Sequence, residues 1–171
     1  MALVEKYHVV AAVRPVATDE TIKEGQVVSL NTAGEVVLQS ATYVYPYGIA
    51  GDTKSTSASA MPGIASGWQN RVSDYFDETS ASGKMTVYHS GGEFATDQFS
   101  SNVGSEVPFV PLYANAGLLC TAAESTSSGI VARLTQAAGS YPSGVPGVDI
   151  NGDIALGGDN SNTYIEFKLL I

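Results

Sequence analysis

Along "TIKEGQVVSLNTAGEVVLQSA" (21–41), Val28 and Leu30 point one way, the chain turns at Asn31-Thr32-Ala33-Gly34, and Val36 and Leu38 resume the alternation. A period of two around a short Gly-containing loop predicts a β-hairpin. "GKMTVYHSGGEFATDQF" (83–99) predicts a second one. Met85, Val87 and His89 share a face, Gly91-Gly92 supply positive φ, and Phe94 resumes the strand. The stretch 107–137 predicts two or three further short strands. "NTYIEFKLLI" (162–171) predicts a half-buried terminal strand, with Ile165, Phe167 and Leu169 on one face.

The remaining segments are less regular. "YHVVAAVRPV" (7–16) is Val-rich and broken by Pro15, as a strand or an extended arm would be. In "TYVYPYGIAG" (42–51), Tyr43, Tyr45 and Tyr47 alternate, which predicts one shared strand face. Pro46 places that strand at an edge or at its own end. Residues 52–63 are small and polar and predict a loop. "WQNRVSDYFDE" (68–78) fits a short helix or a strand. The expectation is an all-β fold, a small β-barrel or β-sandwich of short antiparallel strands with long loops. Residues 1–20 form an N-terminal strand or arm. Residues 21–171 form a single β-rich domain with a loop-rich insertion around 52–82.

The pattern also repeats. "VSLNTAGEVVL" (28–38) and "PLYANAGLLCT" (111–121) match with Gly34 over Gly117. That alignment sets Leu30 over Tyr113, Ala33 over Ala116 and Val36 over Leu119. A polar spacer and a Gly-Ile pair follow each copy, at Gly48-Ile49 and Gly129-Ile130. Two readings stand: a duplicated unit, or two ordinary hairpins.

Composition sharpens the picture. The chain has 171 residues, and 18 glycines and 9 tyrosines suit strands and tight turns. Its net charge of −9 repels phosphate backbones, which excludes direct nucleic-acid binding. No apolar run approaches the ~20 residues of a membrane helix. Glu5 and Lys6 fall where a secretory signal needs apolar residues, so the chain is expected to be soluble and made in a cytoplasm. The one cysteine, Cys120, sits among Leu118, Leu119 and Ala122 as a small buried residue does.

Catalytic parts are scarce. His8 and His89 have no nucleophile beside them. Ser66 in "GIASG" stands one place late for a nucleophile elbow. Asp74, Asp77 and Glu78 cluster beside a small polar stretch, where solvated charge is the ordinary explanation. No enzyme is expected, and no cofactor. In "VDINGDIALGGDNSN" (148–162), Asp149, Asn151 and Asp153 open like a calcium loop. Ile154 stands at the glycine position and Asn160 at the position of the bidentate acid, so the loop chemistry is incomplete. Asp149, Asp153 and Asp159 remain weak metal candidates, and a turn-rich connection is the preferred reading. The tyrosine face and Val9, Val10 and Val13 are the candidate protein contacts.

The runs "EGQVVSLNTAGEVVLQSA…YPYGIAG" and "VPLYANAGLLCT…SGIVARL…IEFKLLI" resemble tailed-bacteriophage capsid decoration (cement) proteins. The resemblance covers 21–51 and 107–171 and rests on hairpin patterns. It implies a virion protein on the outer surface of the capsid that bridges major capsid subunits and stabilises the expanded shell. It also implies a homo-oligomer, a trimer before a dimer. Two rival readings are a tail-tube or head–tail connector subunit, and a carbohydrate-binding β-sandwich using Trp68 and the tyrosines.

Overall fold

The computed structural model describes residues 4–5, 9–54, 83–139 and 164–171. The helix-or-strand segment 68–78 and most of the insertion around 52–82 lie outside the described residues. Within them the fold is all-β: eleven short strands in two antiparallel sheets.

The strands run β1 (Val4–Glu5), β2 (Val9–Pro15), β3 (Val27–Leu30), β4 (Val36–Leu38), β5 (Pro46–Ala50) and β6 (Lys84–Gly91). They continue as β7 (Glu93–Thr96), β8 (Pro111–Asn115), β9 (Leu118–Cys120), β10 (Ala132–Gly139) and β11 (Tyr164–Leu169). The sheet orders are β2-β6-β5-β3-β4 and β1-β7-β11-β10-β8-β9. Residues 9–15 are therefore an edge strand of the first sheet, paired along β6 from Val9↔Gly91 to Pro15↔Lys84.

The hairpin expected within 21–41 is present, its strands at 27–30 and 36–38 with Leu30 opposite Val36. Asn31 shapes its turn. Its side-chain oxygen accepts from the N–H groups of Ala33 and Glu35, and Gly34 follows at φ +78°. The hairpin expected at 83–99 is not formed. β6 spends its two edges on β2 and β5, and β7 spends its own on β1 and β11. Gly91 and Gly92, at φ +71° and +84°, instead carry the chain from one sheet to the other. Two successive glycines make that corner without the side-chain clash any other residue would meet.

The repeat in the sequence is a repeat in the structure. Written from the hairpin outwards, the sheets read β4-β3-β5-β6-β2 and β9-β8-β10-β11-β7, the latter extended by β1. Each takes its strands in the same chain order. Leu30↔Val36 corresponds to Ala114↔Leu119, and Val28↔Gly48 to Leu112↔Ala132. Ala50↔Val87 corresponds to Leu134↔Phe167, and Ala12↔Val87 to Phe94↔Phe167. In each half the chain just past the first strand, β2 or β7, meets the second hairpin strand, β4 or β9, at one parallel bridge: Val16↔Val36 in the first half and Phe99↔Leu119 in the second. Beyond those single bridges neither sheet closes. The alignment of Gly34 with Gly117 and of Val36 with Leu119 holds. Leu30, however, corresponds to Ala114 rather than Tyr113, because the second turn is shorter by a residue. The Gly-Ile match does not survive, since Ala132 stands where Gly48 does.

Each half wraps its own apolar cluster. Val16, Ile22, Val28, Val36, Ala50, Met85 and Val87 fill the first. The second holds Leu112, Leu119, Leu134, Ile165 and Phe167, together with Val27 and Ile49 from the outer face of the first sheet. Tyr88 lies against Phe94 with ring centroids 5.2 Å apart. The first half thus lends its outer face to the core of the second, as packed sheets do in a sandwich.

Candidate functional site

The three tyrosines proposed as one face are not on one strand. β5 begins at Pro46, so Tyr43 and Tyr45 lie in the bends before it and only Tyr47 is a strand residue. Proline at the first strand position needs no ladder donor, which is why the strand starts there. Tyr47 is committed to internal contacts. Arg14 donates to its hydroxyl from Nε at 3.2 Å and from Nη2 at 3.1 Å, and the His89 ring stacks on it at 5.4 Å. Tyr43 is half-buried, with its carbonyl accepting from Ser29 Oγ at 2.9 Å. Only Tyr45 stands out in solvent, 77% exposed.

Val9, Val10 and Val13 all belong to β2, and Val13 is 66% exposed. Val16 N–H donates to Gly83 O at 2.9 Å, which sets the phase of the β2–β6 ladder. In an antiparallel pair, hydrogen-bonded and outward-facing residues alternate. Ala12 and Arg14 therefore bond to β6, while the backbone groups of Ala11 and Val13 face away from the sheet. Pro15 and the register shift between Val10 and Ala11 bound this open stretch at both ends.

Sequence pattern did not single out two further exposed apolar groups. One comprises Tyr45, Ile130 and Leu170, each exposed and each on a neighbouring segment. Ser128 N–H donates to Val44 O at 2.7 Å and Leu170 N–H to Val131 O at 3.0 Å, which sets the three segments side by side. The other is the turn Val107-Pro108-Phe109, where Val107 is 67% and Phe109 73% exposed. Apolar residues clustered at a surface mark contact sites more often than isolated ones do. In sequence both groups are broken by polar residues, so no periodicity announces them.

Comparison with protein-family models, with curated proteins and with solved structures finds no match.

Asp149, Asp153, Asp159, His8, Ser66, Trp68, Asp74, Asp77 and Glu78 lie outside the described residues. Among the described residues, no three His, Cys, Asp or Glu side chains gather as a metal site would need. No helix there is long and apolar enough to cross a membrane. Glu124 is spent on fastening a loop, accepting from Ser100 Oγ at 2.6 Å and from Asn102 Nδ2.

Cys120 is 1% exposed. Burial, and then the nearby Glu124 carboxylate, push its thiol up from 9.0 to about 11. A thiol held neutral and out of solvent is a poor nucleophile. The native protein is expected to resist labelling by a thiol reagent at about pH 8 and to label fully once denatured. Fast stoichiometric labelling of the native protein would contradict this. The folded thiol holds its proton more tightly than the unfolded one. Folding stability therefore declines as pH climbs from 9.0 towards about 11.

Proposed function

We propose that the protein is a structural component of a tailed-bacteriophage head. It binds the outer surface of the expanded shell and bridges major capsid subunits. The observation that carries this reading is the pair of hairpins on which the resemblance rests. Residues 27–38 and 111–120 each form one, at matching places in two sheets of like order. Two like halves give one chain two comparable faces, which suits a protein that spans neighbouring subunits. The surface supports the reading too: Val13, Tyr45 and Phe109 offer apolar contact area on a chain of net charge −9. On a symmetric shell many modest contacts sum by avidity, so no single one need be strong. The open edge at Ala11 and Val13 is suited to accept an extended segment of a capsid subunit by strand addition. As part of this proposal the protein is made in the host cytoplasm, acts in the virion and works as a homo-oligomer.

Electron microscopy of the purified protein mixed with empty expanded heads tests the reading. Density at symmetry-related positions on the outer surface is expected. Heads that stay bare at saturating protein would overturn it.

A further inference from the structure

One backbone turn occurs twice in the chain with very different residues. In the first half it is Glu24-Gly25, with Gly25 at φ +87° and its N–H donating to Ala50 O at 2.8 Å. In the second half it is Pro108-Phe109, with Phe109 at φ +74° and its N–H donating to Leu134 O at 2.7 Å. Ala50 and Leu134 are equivalent, being paired with Val87 and Phe167. Glycine adopts a left-handed backbone freely, whereas a bulky side chain there is strained. Phe109 is also 73% exposed, so its ring gains little from folding to offset that strain. Strain kept at an exposed aromatic residue points to a use outside the fold.

The chain already docks the first copy of this turn. Gly25 is buried, and its carbonyl accepts from Thr96 Oγ1 at 3.5 Å. Beside it, Val27 N–H donates to Gly117 O at 2.7 Å, and Leu38 and Gln26 fill the space over Gly117. The receiving surface has its own equivalent on the first half, where Arg14 stands for Thr96 and Gly34 for Gly117. At Gly34 that surface is open: a Cβ there would meet nothing within 4 Å. Each chain thus carries an exposed plug at Phe109 and a socket that is open at Gly34, with Arg14 beside it held on Tyr47.

We infer that the Val107-Pro108-Phe109 turn of one copy seats on the Arg14–Gly34 surface of a second copy, head to tail. This rests on the homo-oligomer part of the function proposed above. Pro111 stands where Val27 does and has no N–H, so the backbone bond to the socket glycine is not repeated. Burial of the Phe109 ring takes its place. A head-to-tail contact cannot close between two copies. It closes as a ring of three or more, or runs on as a filament.

Sedimentation equilibrium of the full chain, with Phe109→Gly and Phe109→Ala, tests the inference. Wild type is expected at three or more copies. Phe109→Gly is expected to associate about thirty-fold or more weakly. Its melting temperature, measured on the monomer, should rise by about 2–6 °C as the strain is relieved. Phe109→Ala should also dissociate but without that full gain, because it keeps the strained φ. A wild-type dimer would overturn the head-to-tail arrangement, and an oligomer unmoved by either variant would overturn the role of Phe109. In both cases the homo-oligomer reading would stand. A wild-type monomer at high concentration would overturn both, and head decoration would then be judged separately by microscopy.

Discussion

Removing residues 1–14 is expected to unfold the protein rather than leave an intact body without its arm. The sequence supports either a strand or an extended arm, and an arm would be dispensable to the fold. The structure builds six residues of the segment, Val9 to Arg14, into a ladder with β6. It also uses Val4 and Glu5 to cover β7, opposite Ala95 and Phe94. Met85 and Val87, paired with Arg14 and Ala12, are core residues of the first half. Without β2 that core loses its wall on one side, and the bridge from Val16 to Val36 loses its anchor. Arg14 also leaves Tyr47 without its two hydrogen bonds. Each backbone hydrogen bond contributes about 1 kcal/mol net, and each exposed aliphatic side chain costs about 1.5–3 kcal/mol. Such losses consume most of the roughly 5–15 kcal/mol that holds a domain of this size together. Near-ultraviolet circular dichroism and a thermal melt of the truncated chain measure this. A cooperative transition within a few degrees of the full-length protein would restore the dispensable arm.

What the sequence made legible was local. Alternation at Val28, Leu30, Val36 and Leu38, with Asn31 and Gly34 between, specified β3 and β4, because turn chemistry and period agreed there. The terminal strand was equally plain, and Ile165, Phe167 and Leu169 are buried. Misreadings arose where the partner was distant. Two adjacent strands around Gly91-Gly92 look like a hairpin in sequence, yet competition from β2, β5 and β11 for their edges separates them. The tyrosines at 43, 45 and 47 keep a strand-like period, but Pro46 starts the strand after two of them have passed. Phe109 was invisible for another reason. Its meaning lies in a φ angle and in its equivalence to Gly25, and neither is written in composition or periodicity.

Phe94→Ala is expected to destabilise the protein by about 3–5 kcal/mol, the usual cost of emptying a buried aromatic site. The ring is fully buried, 5.2 Å from Tyr88 and 5.8 Å from Phe167. Its equivalent in the first half is Ala12, so the variant gives the second half the residue the first half already has. The cost follows all the same, because Ala12 needs no ring where it stands. Phe94 fills the seam at which Tyr88, Val27 and Ile49 of the first sheet enter the core of the second. Emptying that seam weakens both halves together. Urea unfolding followed by circular dichroism and by tyrosine fluorescence should therefore give one transition, shifted to lower urea in both signals. The alternative is a chain of two independent repeats, each stable on its own cluster. It predicts two separated transitions, one of them unmoved by the substitution. One shifted transition would mean that the two like halves fold as a single unit, with the outer face of the first half completing the core of the second.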